Sequence, residues 1–553
     1  MTSTSYNVAA MAERPGAIVD YGAFPDPPSA LFRDYLAGAA TLAPFYDEAR
    51  WDLPALAVAS QRTAAAAHPR REVADALVRQ QEARGASLAA SRARLIAEAG
   101  SVAIVTGQQA ILFCGPLLVL YKALAALRVA AALEQRRGAP VVPVFWVASD
   151  DHDFEEVRGV AVLDATGQRR ALRYAPRQEP SGQPASAILL DATIAGLGDD
   201  LAVTLPPSPH LDALLARVAR CYRPGASLSQ AFAALLSSLL PELVILDPCD
   251  PAFKSLMVPV LRREIAEASP TSRFAARVGA QLSAAGYHQQ VPVREGFLNL
   301  FVVDEGERRA LALQDGRIEV RGTRRRLSID EALRWLEREP LAWSPGALLR
   351  PLAQDLLLPT AGYVGGPAEL AYHAQIGPSY AHFGIPRPPL VPRPGATLVE
   401  PAQARALETE GLALPDVQGD PEALVARWAR DAHPEIADAF ARARAAVEGQ
   451  LHALGAALGG VDATLEAAAD AAKGRALHQI VGLQEKATRA LKKREQARAE
   501  RLRRTREALF PGGVPQEREL AILGVLARHG DAVLAELRER IDPWARGHQV
   551  LYL

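Results

Sequence analysis

With 553 residues, the chain is too long for one ordinary hydrophobic core and should divide into two to four structural units, with room for one domain inserted in another. Its 62 Lys and Arg balance 63 Asp and Glu, a formal charge of −1 that excludes a uniformly basic nucleic-acid coat and an acidic solvating chain. The opening MTSTSYNVAAMAERPG has no basic stretch leading into an apolar core, and the most apolar long window, from Leu117, is broken by Lys122 and Arg128, so a cytoplasmic protein without leader or membrane span is expected.

Residues from about Leu31 to Glu98, rich in Ala, Leu, Arg and Glu, read as packing helices. Val102 to Thr106 reads as a short buried strand, GQQAILFCGP as a glycine-bearing loop, and Leu117 to Gln135 as a helix. On that helix Leu117, Leu120, Tyr121, Leu124, Leu127 and Ala131 share one face, Pro116 is the first helical residue and Arg136-Arg137-Gly138 the stop. VVPVFWVA, residues 141–148, is apolar almost throughout, as a strand covered on both faces of a parallel sheet should be. Strand, helix and strand in this order predict a right-handed βαβ unit, the building block of a doubly wound domain. Val160 to Tyr174 and Gly296 to Leu313 read as hairpins, and Leu243 to Pro248 as a further buried strand. The expected division is a core over 1–400 with insertions at roughly 155–345, a helical region over 401–510, and a segment 511–553 that packs back on the core. Within the helical region, Leu465, Ala469, Ala472, Ala476, Leu483, Ala487, Ala490 and Ala497 recur three or four apart or at multiples of that spacing, which predicts a long helix in a coiled coil.

Ligands of open parallel sheets sit beyond the carboxyl ends of the strands. Thr106-Gly107-Gln108-Gln109 and Ser149-Asp150-Asp151-His152-Asp153 both follow strands there and should face one crevice, at which the helix entered through Gly115 and Pro116 aims its first N–H groups. Each has a plainer reading: a tight turn for the first, and an acidic helix entrance for the second. In the functional reading His152, between Asp151 and Asp153, has a raised pKa and moves a proton, with one Asp able to sit beside Mg²⁺ and phosphates. A third stretch, TAGYVGGPAELAYHAQIG, places Gly362, Gly365 and Gly366 in a loop opening a helix on which Glu369, Tyr372, His373 and Ile376 share a face. Such loops are also ordinary turns. The basic run from Gln484 to Glu507 reads as the solvated face of a long helix in preference to an RNA-binding surface. Cys114, Cys221 and Cys249 show no zinc spacing and read as reduced, structural thiols.

Together, TGQQAILFCGPLLVLYKALAAL, PVFWVASDDHDFEEV, LLRPLAQDLLLPTAGYVGGPAELAYHAQIG with the VPRPGATLVE that follows, and LFPGGVPQERELAIL resemble the bacillithiol-biosynthesis cysteine-adding enzyme family, a cysteine ligase family, from about Phe32 to the C-terminus. The resemblance implies an α/β fold with a Rossmann-type parallel-sheet core like that of class I aminoacyl-tRNA synthetases, connective-peptide insertions, and a coiled coil through which two copies pair. It implies a reaction that joins the carboxylate of cysteine to the amine of glucosaminyl-malate, with ATP or another nucleotide as the activating agent and Mg²⁺ as its companion. Carried onto this sequence, the matching positions are Thr106, Gly107, Gln108, Gln109, Gly115 and Pro116, then Asp151, His152 and Asp153, then Gly365, Gly366, Glu369 and Tyr372. The expected roles are proton transfer for His152, oriented by Asp151 or Asp153; substrate contacts for Thr106, Gln108, Gln109, Glu369 and Tyr372; and anion or nucleotide contacts for Gly107, Gly115, Gly365 and Gly366, with no resident metal. Cys114 stands where the family usually has threonine, and His373 where it usually has an aromatic residue. The synthetases' HxGH and KMSKS signatures are absent. An RNA- or nucleotide-binding protein of synthetase type, without ligase activity, is the alternative.

Overall fold

The structure, a computed structural model, describes residues 16–47, 50–293, 296–431, 433–494 and 496–553. The opening residues 1–15, on which most of the expectation about a leader rests, lie outside these. Among the described residues no helix is long and apolar enough to cross a membrane. The chain forms two compact units, one comprising the residues up to Val399 together with Val514–Leu553, the other Glu400–Gly513.

The first unit is built on five parallel strands: β1 (Val102–Gln108), β2 (Val141–Val147), β3 (Val244–Leu246), β4 (Thr360–Gly365) and β5 (Leu390–Pro392). Their spatial order is β5-β4-β1-β2-β3. Strands β1 to β3 therefore run outward on one side, and the chain then crosses back to lay β4 and β5 on the other. The reversal falls between β1 and β4, where an open α/β sheet leaves a crevice above its strand ends. The first six residues of β1 and all seven of β2 are buried, which accounts for their continuous apolar sequence. At the end of β1, Gly107 pairs with Trp146, whose carbonyl oxygen would lie 2.7 Å from any added Cβ, so only glycine allows the two strands to stay paired as far as Gln108.

Four core helices bear on the site: α1 (Leu117–Arg137), α2 (Phe154–Val157), α3 (Pro251–Ala266) and α4 (Pro367–Gln375). Helix α1 ends at Gly138 in the left-handed conformation, as its sequence predicts, but Pro116 has extended ψ and stands one position before the helix. Gly362 and Gly365, expected in a loop, lie inside β4, and Gly366 alone precedes α4.

Between β3 and β4 the chain forms a separate five-stranded antiparallel sheet, from the strands Phe297–Asp304, Glu307–Gln314, Arg317–Val320, Arg326–Leu327 and Trp343–Pro345. A hairpin, Gly159–Leu163 with Arg169–Arg173, follows α2. A third sheet places the last strand, His548–Tyr552, between Ala17–Val19 and Ala396–Val399. The second unit contains the long helices α5 (Pro434–Gly459), α6 (Ala463–Arg494) and α7 (Gln496–Leu509). Helices α5 and α6 pack along one another, while Ala499 and Leu502 of α7 close a small core with Leu424, Val425 and Trp428.

Candidate active site

A cavity of about 640 Å³ opens above the carboxyl ends of β1, β2 and β4. Gly107, Gln108 and Gln109 line it from the first loop, Asp151 and His152 from the second, and Gly366, Glu369 and Tyr372 from the start of α4. Three stretches far apart in sequence thus share one space because the sheet reverses direction beneath them. Thr106, Gly115, Gly365 and Asp153 are not among its lining residues.

Those four have structural roles that explain their position. Thr106 is buried and donates its hydroxyl to the Val364 carbonyl at 2.8 Å, tying β1 to β4. Gly115 adopts φ +64, and a Cβ there would meet Ile111 at 3.0 Å, so the turn itself calls for glycine. The Gly365 carbonyl accepts the N–H of Arg393 at 2.7 Å. Asp153 caps α2 by accepting the N–H of Glu156 at 3.1 Å, the plainer role open to it in the sequence.

Neither expected helix N-terminus is free for an anion at its first amide. The Leu117 N–H of α1 donates to the Leu520 carbonyl at 2.8 Å, and the Gly366 N–H donates to Glu369 at 2.7 Å. Glu369 is instead the hub of one wall. It pairs with Lys122 at 2.5 Å and also accepts from the Tyr363 hydroxyl. Lys122 spends its other two N–H donors on the Gly107 carbonyl and Gln108 Oε1, each at 2.8 Å. Burial draws Lys122 below the ordinary lysine range against the pull of Glu369. Burial also pushes the Glu369 carboxyl up, but Lys122, Tyr363 and the Gly366 amide outweigh it and hold the group ionised, below the ordinary range. Tyr372 accepts from half-buried Arg350 at 2.7 Å.

The opposite wall is looser. Gln109 donates to Asp151 at 2.6 Å and Glu156 at 2.8 Å. Asp151 turns its other oxygen to the backbone N–H of His152 at 2.8 Å, leaving the imidazole Nδ1 3.7 Å away. Neither it nor Asp153 orients the ring by a hydrogen bond. The ring partner is Arg308, from the antiparallel sheet, whose Nη1 lies 3.2 Å from Nδ1. The expectation of a raised pKa fails for this reason: burial first, then the Arg308 charge, lower the His152 pKa, and the two flanking aspartates do not offset them. Asp150, also lining the cavity, pairs with buried Lys254 of α3 at 2.5 Å. Burial pushes the Asp150 carboxyl up, but Lys254 and Arg308 prevail and hold it below the ordinary aspartate range.

His373 lies behind this surface, buried, stacked on Tyr372 at 5.0 Å, with no hydrogen bond to either ring nitrogen. It does not line the cavity. Cys114 is buried and its thiol pushed well above the ordinary range by desolvation, as suits a structural cysteine.

Sequence reasoning passed over the cations. Lys122, Arg308, Arg350, Arg393 and Arg518 all line the cavity. Lys122 carries a legible signal, an ammonium within the apolar first half of its helix; Arg350, Arg393 and Arg518 sit inside the recognised motifs; Arg308 has no local signal at all. Buried Arg393 is held by Glu517 at 2.7 Å, and Glu517 also accepts the Ala396 N–H, so the segment after the helical unit completes this side of the cavity. Among the described residues no group of three or more His, Cys, Asp or Glu is placed to hold a metal ion.

Two family models match. Residues 19–394 match the N-terminal Rossmann-like domain of bacillithiol biosynthesis BshC, and residues 396–553 its C-terminal coiled-coil domain. A protein of Salinibacter ruber named "Putative cysteine ligase BshC" is 35% identical over 537 residues, 96% of each chain. Relatives of the same name from Koribacter versatilis and Solibacter usitatus are each 35% identical, covering 90% and 82% of this chain and 93% and 85% of their own. Joined to a parallel core whose strand ends carry all three motifs, these matches establish that the chain belongs to the BshC family of bacillithiol biosynthesis.

Proposed function

We propose that the chain is a cysteine ligase that forms the amide bond between the carboxylate of cysteine and the amine of glucosaminyl-malate, completing bacillithiol in the cytoplasm. The observation that carries this reading is the cavity at the β1/β4 reversal, large enough for a sugar-acid conjugate and lined by four arginines suited to carboxylates and phosphate.

A carboxylate does not condense with an amine unaided. ATP or another nucleotide would supply the activation: a cysteine carboxylate oxygen would bond to phosphorus while pyrophosphate or the nucleoside diphosphate leaves, giving an acyl adenylate or acyl phosphate. The amine nitrogen would then bond to the acyl carbon and shed a proton to water, and the C–O bond to the phosphorus-bearing oxygen would break, the AMP or phosphate leaving with that electron pair. Gln108, Gln109 and Tyr372 are suited to the hydroxyls and amino group of the substrates, and Arg518 on the rim to a malate carboxylate. The acidic groups here are committed to cations and amides, so Mg²⁺ would arrive on the nucleotide and keep most of its ligands from phosphate and water.

Leu454, Leu465, Val481 and Leu483 stand exposed on α5 and α6, which supports pairing of two copies through this hairpin. The deciding experiment expresses the chain in a bacillithiol-producing host that lacks its own ligase. Bacillithiol should return and accumulated glucosaminyl-malate should fall, measured by mass spectrometry of cellular thiols. An unchanged thiol pool with folded protein present would reject the reading.

A further inference from the structure

Arg308 reaches the cavity from outside the core sheet, and its setting is unusually complete. Its Nε donates to Ser344 Oγ at 3.0 Å, its Nη2 to the Pro345 carbonyl at 3.2 Å, and its Cζ lies 3.8 Å from the centre of the Phe301 ring. The remaining arm, Nη1, points at His152 Nδ1 at 3.2 Å. A guanidinium has donors only. The nitrogen it meets must therefore present a lone pair, which places the single proton of a neutral imidazole on Nε2.

We propose that Arg308 is a positioning residue that holds His152 in the Nε2–H tautomer, so that the imidazole serves the reaction as a hydrogen-bond donor to an oxyanion and not as the base that deprotonates the amine. The proposal rests on the ligase reading above and assigns a role within it. The surroundings of the ring agree. Asp151 approaches Nδ1 only to 3.7 Å and takes the backbone N–H instead, while Asp153 caps α2. Phe301 packs at 5.8 Å between ring centres and brings no charge. Protonating Nδ1 would set an N–H against the N–H of Arg308, and burial together with that cation outweighs the two aspartates in keeping the ring neutral. Nε2 has no partner among the described residues, and the ring, 36% exposed, lines the cavity.

In the reaction, the amine nitrogen forms its bond to the acyl carbon and the carbonyl π pair moves onto oxygen. Nε2–H holds that oxygen while it carries the charge. The pair returns as the C–O bond to the phosphate or AMP breaks, the leaving group takes that bond's electrons, and the proton shed by the amine passes to water. His152 keeps its own proton throughout.

Glutamine and asparagine separate the two roles, because the amide of Gln lies near the place of Nε2 and that of Asn near Nδ1. His152→Gln should keep turnover within about tenfold of wild type, while His152→Asn and Arg308→Met should each lose about 10²–10³-fold, the usual cost of one oxyanion donor. Equal, large losses in the Gln and Asn variants would assign His152 as the base and overturn the proposal. Neutron diffraction from deuterated wild-type crystals adds a readout independent of turnover. A deuteron on Nε2 alone supports the proposal, and one on Nδ1 overturns it even if the enzyme is an active ligase. Lack of ligase turnover in the wild type, with the deuteron still on Nε2, would reject the ligase reading and leave the tautomer assignment standing.

Discussion

The two walls of the cavity are built on opposite terms. On the β1/α4 side, Lys122 and Glu369 satisfy each other and exhaust nearly every donor and acceptor around them, with the Lys122 side chain only 3% exposed. On the β2 side, His152 stands partly exposed with one nitrogen uncommitted; elsewhere on the rim, Arg518 is exposed. A saturated ion pair has nothing left to offer a ligand; it fixes the position of the Gln108 loop and the start of α4. The half-solvated wall retains the valences that chemistry needs. The first wall is fixed mainly by its own pairs, and the second leaves more of its groups open to solvent.

The contrast is tested most severely by breaking the pair. Lys122→Met or Glu369→Leu alone should each cost about 3–5 kcal/mol of stability, because each leaves a buried charge uncompensated. The double variant should cost clearly less than the sum, a coupling that urea unfolding of the four proteins would measure. Additive losses near the size of a surface pair would mean that the wall is not sealed. The pH dependence follows in sign. The folded-state pKa of Glu369 is depressed, so its contribution is present above the ordinary carboxylate value of about 4.3 and is lost as pH falls through the lower, folded value.

A second, smaller effect lies behind the same wall. Burial, then the Arg387 and Arg350 charges, hold the His373 pKa well below its ordinary value, so the folded state refuses a proton that the unfolded chain accepts below about pH 6.5. Stability should therefore fall as pH drops below that value. His373→Phe keeps the stack on Tyr372 and removes two unpaired buried nitrogens. At pH 5 it should be more stable than wild type, with a smaller gain at pH 8. Thermal melts at the two pH values would show it, and a gain that does not depend on pH would place the ring in water.

How far the sequence reaches follows the same division. Strands β1 and β2 are legible because burial on both faces removes polar residues from them, and the loops that follow are legible because glycine and clustered acids stand out against such runs. The order β5-β4-β1-β2-β3 is not, since nothing local in Thr360–Gly365 records that it pairs with β1, more than 250 residues earlier. His152 is conspicuous in sequence, yet its charge state is set by burial and then by Arg308, 156 positions away, and the flanking aspartates that favour a raised pKa in sequence face elsewhere. Thr106 and Gly115 belong to the right motif but serve the turn and the sheet, a distinction that only packing makes. Lys122 reads as an interruption of an apolar stretch until Glu369 is placed beside it.

The weakest expected effect tests the exposed rim. Arg518 is exposed at the mouth of the cavity, on the segment that Glu517 and Gln516 fasten to the strand Ala396–Val399. Because its side chain is solvated, Arg518→Ala should change stability by no more than about 0.5 kcal/mol. If the rim steers an anionic substrate, the same change should raise KM for glucosaminyl-malate several-fold while leaving kcat nearly intact, since the contact would be made equally in ground and transition states. The difference from wild type should shrink as salt is raised, because an exposed charge is screened over a Debye length of roughly 8 Å at physiological ionic strength. A loss confined to kcat, insensitive to salt, would instead place Arg518 against the reacting atoms and move the division between shaping and contacting groups to this side of the cavity.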